Sequence, residues 1–127
     1  VTQPDQSFHL ISISRLARVG AVEVSIQRFR GTVRESTLED FRKRLAEAGE
    51  RAPFLIVDLS ETEYMSSTGL GLILGQAGIQ EARGGWLRVV APSPAVSMIL
   101  RLSGVSETLP SWRDEAEALR DLAPRAA

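Results

Sequence analysis

The chain has 127 residues, the length of one ordinary domain, and its 43% apolar and 24% charged residues make a globular composition, not a disordered one. It has no cysteine, which excludes disulfides and thiolate metal sites and fits a reducing compartment. Lys and Arg number 15 against 16 Asp and Glu, so the net charge of −1 offers no cationic surplus for non-specific nucleic-acid binding. Val1 to Ser7 lacks the basic-then-apolar order of a signal peptide, and no apolar run approaches the ~20 residues that a membrane helix needs. Residues 1–127 read as one domain, with flexible ends expected at 1–7 and 124–127. The local basic groups Arg28, Arg30, Arg34 and Arg42-Lys43-Arg44 read as solvated strand ends and helix faces, or as contacts to a partner or an anion.

Phe8 to Ile13 and Ala21 to Phe29 alternate apolar with polar residues, with the Gly20 turn signal between them. Val22, Val24 and Ile26 share one face, and Glu23, Ser25 and Gln27 the other. These runs predict an antiparallel hairpin with one wet face. Ser14 to Val19 either extends the first strand or loops out. Gly31 breaks the pattern. Ser36-x-x-Glu39 and Thr37-x-x-Asp40 are then competing signals for a helix start. Leu38, Phe41, Leu45 and Ala48 recur at helical spacing, and Gly49 is a plausible stop.

Phe54-Leu55-Ile56-Val57 is a continuous apolar run, as expected of a central strand, and it ends at Asp58. After a polar stretch, Tyr64 to Gly69 opens a second helix, striped by Leu70, Ile73, Leu74 and Ala77. Gly84-Gly85 precedes a strand over Trp86 to Val90. Ser93-Pro94 has the form of an N-cap followed by Pro at the first helical position, and that helix continues through Val96, Ile99 and Leu100 to Gly104. Val105 to Leu109 is predicted to form a short strand. Ser111-x-x-Asp114 then caps a last helix through Ala116, Leu119 and Leu122, which Pro124 ends. The order predicts an α/β fold: a mixed sheet of four to five strands starting with an antiparallel hairpin, and about four helices packed mainly on one face.

Asp58 to Gly75 holds the residues with the most chemistry to offer. Ser66, Ser67 and Thr68 stand together at a predicted helix N-terminus, where first-turn N–H groups lack helical partners and the dipole is positive. A hydroxyl there serves as an N-cap, and a phosphoryl group would be stabilised by the same donors. Gly69 and Gly71 each weaken the helix by about 1 kcal/mol relative to Ala. Their presence suggests a close approach to the backbone, by a neighbouring strand or by a ligand. Leu72, Gly75, Gln76, Ile79 and Arg83 line another side of the helix, which is a docking patch if exposed and core if covered.

Gly69-x-Gly71-x-x-x-Gly75 mimics a dinucleotide fingerprint, but it lies well beyond the strand end at Asp58, and no acid ends the next strand. His9, the only histidine, is remote in sequence from the Ser and acidic clusters. No phosphate loop, His pair or G-x-S-x-G turn is present, so neither a catalytic site, a metal site nor a cofactor is expected.

The strand Leu55-Ile56-Val57-Asp58-Leu59, then Tyr64-Met65, then Ser67-Thr68-Gly69-Leu70-Gly71 resemble the signature of the STAS domain, shared by anti-sigma-factor antagonists and sulphate transporters. Gly31 before the first helix, Gly84-Gly85 before a strand, Ser93-Pro94-Ala95-Val96 and Leu102-Ser103-Gly104 extend the resemblance along nearly the whole chain. It implies a bacterial, cytoplasmic, non-enzymatic regulator. Ser67 would be phosphorylated by a partner that is both serine kinase and anti-sigma factor, bound when Ser67 is unmodified. A PP2C-type phosphatase would reset the switch. Ser66, Thr68, Gly69, Arg34 and Thr32 would neighbour it; the candidates for docking the partner are Leu72, Gln76, Ile79 and Arg83, from the helix side read above.

Two departures from the family pattern stand out. Ser66 stands where Asp usually precedes the phosphorylated serine, and Thr32 and Arg34 stand where acids are usual. Either Arg34 pairs with a phosphate or an acidic partner surface, or the kinase-recognition features are lost and Ser67 is no longer modified. Beside the antagonist, two other readings stand: a scaffold or accessory subunit of a signalling or lipid-transport complex, as a homo-oligomer or in a stable assembly, and a small-ligand module using the Gly-rich helix start.

Overall fold

A computed structural model describes residues 9–122, and the expected flexible ends, Phe8 and the helix stop at Pro124 lie outside them. Strand β1 (Leu10–Val19) turns at Gly20-Ala21 into β2 (Val22–Val33), in an antiparallel register that holds from Leu10↔Gly31 to Val19↔Val22. Ser14 to Val19 therefore extends the strand. Helix α1 (Leu38–Arg51) leads to β3 (Phe54–Asp58), and a short β4 (Thr62–Met65) precedes α2 (Ser67–Ala82). Then come β5 (Trp86–Val90), α3 (Pro94–Leu102), β6 (Ser111–Trp112) and α4 (Glu115–Leu119). The sheet runs β1-β2-β3-β5-β6, parallel from β2 onward, with β4 pairing the far end of β2.

Helices α1, α2 and α3 cover one face, where Phe41, Leu45, Ile73, Val96 and Leu100 close over Phe29, Leu55, Val57 and Val89. The Phe29 and Phe41 rings meet at 4.6 Å. The other face is partly covered by α4, whose Ala118, with Leu122 just beyond, packs on Val24, Ile26, Ile56 and Val90.

Several local expectations are corrected. The face of β2 expected to be wet is buried at Ser25 and Gln27, because β2 lies inside the sheet, with β1 and β3 on either side and helices above. Gln27 satisfies itself there by accepting from the Ser14 hydroxyl at 2.6 Å and donating to the Ile13 carbonyl at 3.3 Å. Gly31 does not end β2. It sits at an irregularity in the β2–β4 register with φ +116°, and a Cβ there would stand 2.1 Å from the His9 carbonyl oxygen. Helix α1 runs on through Gly49 to Arg51. Val105 to Leu109 is not a strand. Leu109 N–H bonds back to the Val105 carbonyl at 2.7 Å, a helix-like turn that buries Leu109, and β5 is paired instead by Ser111–Trp112.

Candidate functional site

Three segments meet at one end of the parallel strands. The last residues of β2 pair with β4 through Thr32↔Tyr64 and Val33↔Met65, and Ser66 N–H donates to the Val33 carbonyl at 2.9 Å. This bond sets the start of α2 beside the turn into α1. That turn is tied by Thr37, whose hydroxyl donates to the Thr32 carbonyl at 2.7 Å and accepts from Arg34 N–H at 3.0 Å. Thr37 is thus the residue before α1, and its hydroxyl braces the loop instead of capping the helix.

The cap of α2 is Ser66, not Ser67: the Ser66 Oγ accepts from Gly69 N–H at 3.1 Å. Ser67 takes the first helical position with its side chain exposed, as does Thr68 after it. Ser66 thus leaves the Ser67 hydroxyl clear of any capping role. Gly69 is where the strand comes close, since a Cβ would lie 2.6 Å from Val33 Cγ1, whereas at Gly71 and Gly75 it would meet open space. The close approach expected of Gly69 is therefore made by β2.

Arg34 extends from the residue after Val33 and lays its guanidinium 5.1 Å from the centre of the Tyr64 ring, a cation–π contact. Thr32 is buried, and its hydroxyl finds no hydrogen-bond partner among the described residues. Asp58, at the end of β3, is committed elsewhere: it accepts from Arg28 at 3.2 Å and from Ser60 N–H at 2.9 Å.

The side of α2 offered as a docking patch divides. Leu72 is half-buried and Ile79 is 52% exposed. Gln76 is buried, donating to Gln80 at 2.8 Å, and Arg83 bonds to the Gly49 and Glu50 carbonyls at the end of α1. The buried face of α2 thus includes Gln76 and Gln80, which the apolar stripe did not foretell. Between α1 and α2 remains an open groove of about 270 Å³, lined by Arg42, Ala46, Gly71, Leu72, Gly75 and Ile79 among others, beginning about one turn along α2 from Ser67. Arg42 at its rim bonds to Glu39 and holds that carboxyl below the ordinary range. Sequence reasoning missed Ala46 and Arg42 as members, because pairing of α1 with α2 is not visible in either helix alone. Among the described residues no cluster of His, Asp and Glu could hold a metal, and no helix is long and apolar enough to cross a membrane.

Residues 14–111 match the family model described as Mlab, STAS domain. An anti-sigma F factor antagonist from Paenibacillus polymyxa is 31% identical over 101 residues, covering 78% of this chain and 86% of that protein. Among solved structures, an anti-sigma factor antagonist from Mycobacterium paratuberculosis superposes with a TM-score of 0.76 at 23% identity, covering 95% of this chain and 97% of that one. The anti-sigma factor antagonist SpoIIAA in its unphosphorylated form gives 0.68 at 24% identity, covering 88% and 97%. At those identities the two structures speak to the fold, and the sequence matches speak to the family.

Proposed function

As the chain belongs to the STAS-domain family, we propose that it is an anti-sigma-factor antagonist, a binding module and not an enzyme, switched by phosphorylation of Ser67. Unmodified, it binds a serine-kinase anti-sigma factor in the cytoplasm through the start of α2 and the α1–α2 groove; a PP2C-type phosphatase restores that state. The observation that supports this most is the division of labour at the helix start: Ser66 caps, and Ser67 stands exposed at the first turn. A phosphoryl group there adds about −1.5 to −2 charges at the docking surface. Repulsion and desolvation would then expel the partner without refolding, since the Ser67 side chain is not among the packed ones.

The test is capture of partners from the native organism on immobilised Ser67→Ala and Ser67→Asp variants, with peptide mass spectrometry of Ser67 in the native protein. The expected result is an ATP-binding kinase-type partner held by Ser67→Ala and lost from Ser67→Asp, with Ser67 phosphorylated in vivo. Equal capture by both variants, with Ser67 never modified, overturns the switch. That outcome would favour an accessory-subunit role, a reading that the replacement of the family's usual acids by Ser66, Thr32 and Arg34 supports.

A further inference from the structure

We infer that β1 is an interface through which two copies of this chain pair edge to edge. The strand ends the sheet. Its inner edge is taken by β2 in unbroken register, and among the described residues no strand pairs its outer edge. Edge strands are ordinarily shielded by a bulge, a proline, a charge or very short length. This one is ten residues long and free of bulges, and its first half, Leu10 to Ser14, carries neither charge nor proline. Ile11 and Ile13 are 47% and 44% exposed. They lie on the same sheet face as their register partners Arg30 and Arg28, whose charges are balanced by Glu61 and Asp58 at 3.2 Å. The apolar pair therefore borders no unbalanced charge.

A second copy fits this edge because the segment reads nearly alike in both directions. An antiparallel two-fold centred on Ser12 sets Ser12 against Ser12, Ile11 against Ile13 and Leu10 against Ser14. Period-two alternation then gathers the four isoleucines on one face. Arg15 falls opposite His9, not opposite another cation, and is itself paired with Glu115. The inference does not rest on Ser67 or on the antagonist reading.

Sedimentation equilibrium of the full chain from about 1 µM to 1 mM tests it. The expected result is a reversible dimer whose dissociation constant rises about tenfold or more in the Ile11→Lys/Ile13→Lys variant, with unchanged circular dichroism because both side chains are exposed. The chain has no cysteine, so Ser12→Cys is a clean reporter. It should form a disulfide dimer faster than the exposed control Ser36→Cys. A monomer throughout, a dimer indifferent to the lysines, or Ser12→Cys cross-linking no faster than the control each overturns the inference. So does a monomeric full chain that dimerises once residues 1–8 are removed, which would assign the edge to the chain's own leading segment.

Discussion

The Ser66 hydroxyl oxygen accepts the Gly69 N–H at 3.1 Å, closing the first turn of α2. The adjacent serine is thereby freed, and the two should behave oppositely on substitution. Ser66→Ala removes a cap and should cost about 1 kcal/mol, whereas Ser67→Ala should stay within about 0.5 kcal/mol of wild type. Urea unfolding of the two variants checks this. Equal losses would mean that the cap is shared.

Gln80 is fully buried and donates to the carbonyls of Ala52 and Pro53 at 2.9 and 2.8 Å while accepting from Gln76. It fastens α2 to the junction between α1 and β3, and so sets one wall of the α1–α2 groove. Replacing it with Leu keeps the bulk but strands the Ala52 carbonyl and the Gln76 amide, while the Pro53 carbonyl keeps its bond from Trp86 N–H at 3.2 Å. We expect Gln80→Leu to destabilise by about 2–4 kcal/mol. Unfolding midpoints within error of wild type would show that the Ala52 carbonyl finds another donor.

These residues mark what was legible in the chain and what was not. The α3 start was plain, because Ser93 and Pro94 act locally: Ser93 Oγ accepts from Val96 N–H at 3.3 Å with Pro at the first turn. Strand β3 was plain from its unbroken apolar run. Strand β4 was hidden, since Thr62–Met65 is short and its partner is the distant end of β2, beyond a register shift. Buried Gln27 and Gln80 were hidden for a related reason: a polar residue reads as exposed until a partner from another element satisfies it. At the site, the hydroxyl cluster was visible, but which serine caps α2 depends on the bond from Ser66 N–H to the Val33 carbonyl that sets the helix start.

Gly31 holds φ +116° with its α-carbon facing the His9 carbonyl. Gly31→Ala would strain the backbone and push β1 from β2 at the edge next to Ile11. A loss of at least about 2 kcal/mol is expected. Hydrogen exchange should show it first in β1, and a variant as stable as wild type would mean that the hairpin end readily shifts.

Arg88 lies between two tryptophans, its guanidinium carbon 4.0 Å from the Trp86 ring centre and 4.7 Å from that of Trp112. It donates to the Ala118 carbonyl at 2.6 Å and to both Asp121 oxygens at 2.8 Å, joining β5 and β6 to α4. Two contributions can be separated here. The Asp121 side chain is half-exposed, so its ion pair is screened, and Asp121→Asn should cost under about 1 kcal/mol. Stacking between the rings needs a planar cation, which Lys lacks, so Arg88→Lys should cost about 1–2 kcal/mol and do so equally at low and high salt. Were the ion pair dominant, Asp121→Asn would lose more than Arg88→Lys, which keeps the positive charge, and added salt would shrink the loss. Urea midpoints at two salt concentrations, with unchanged m-values, decide between them.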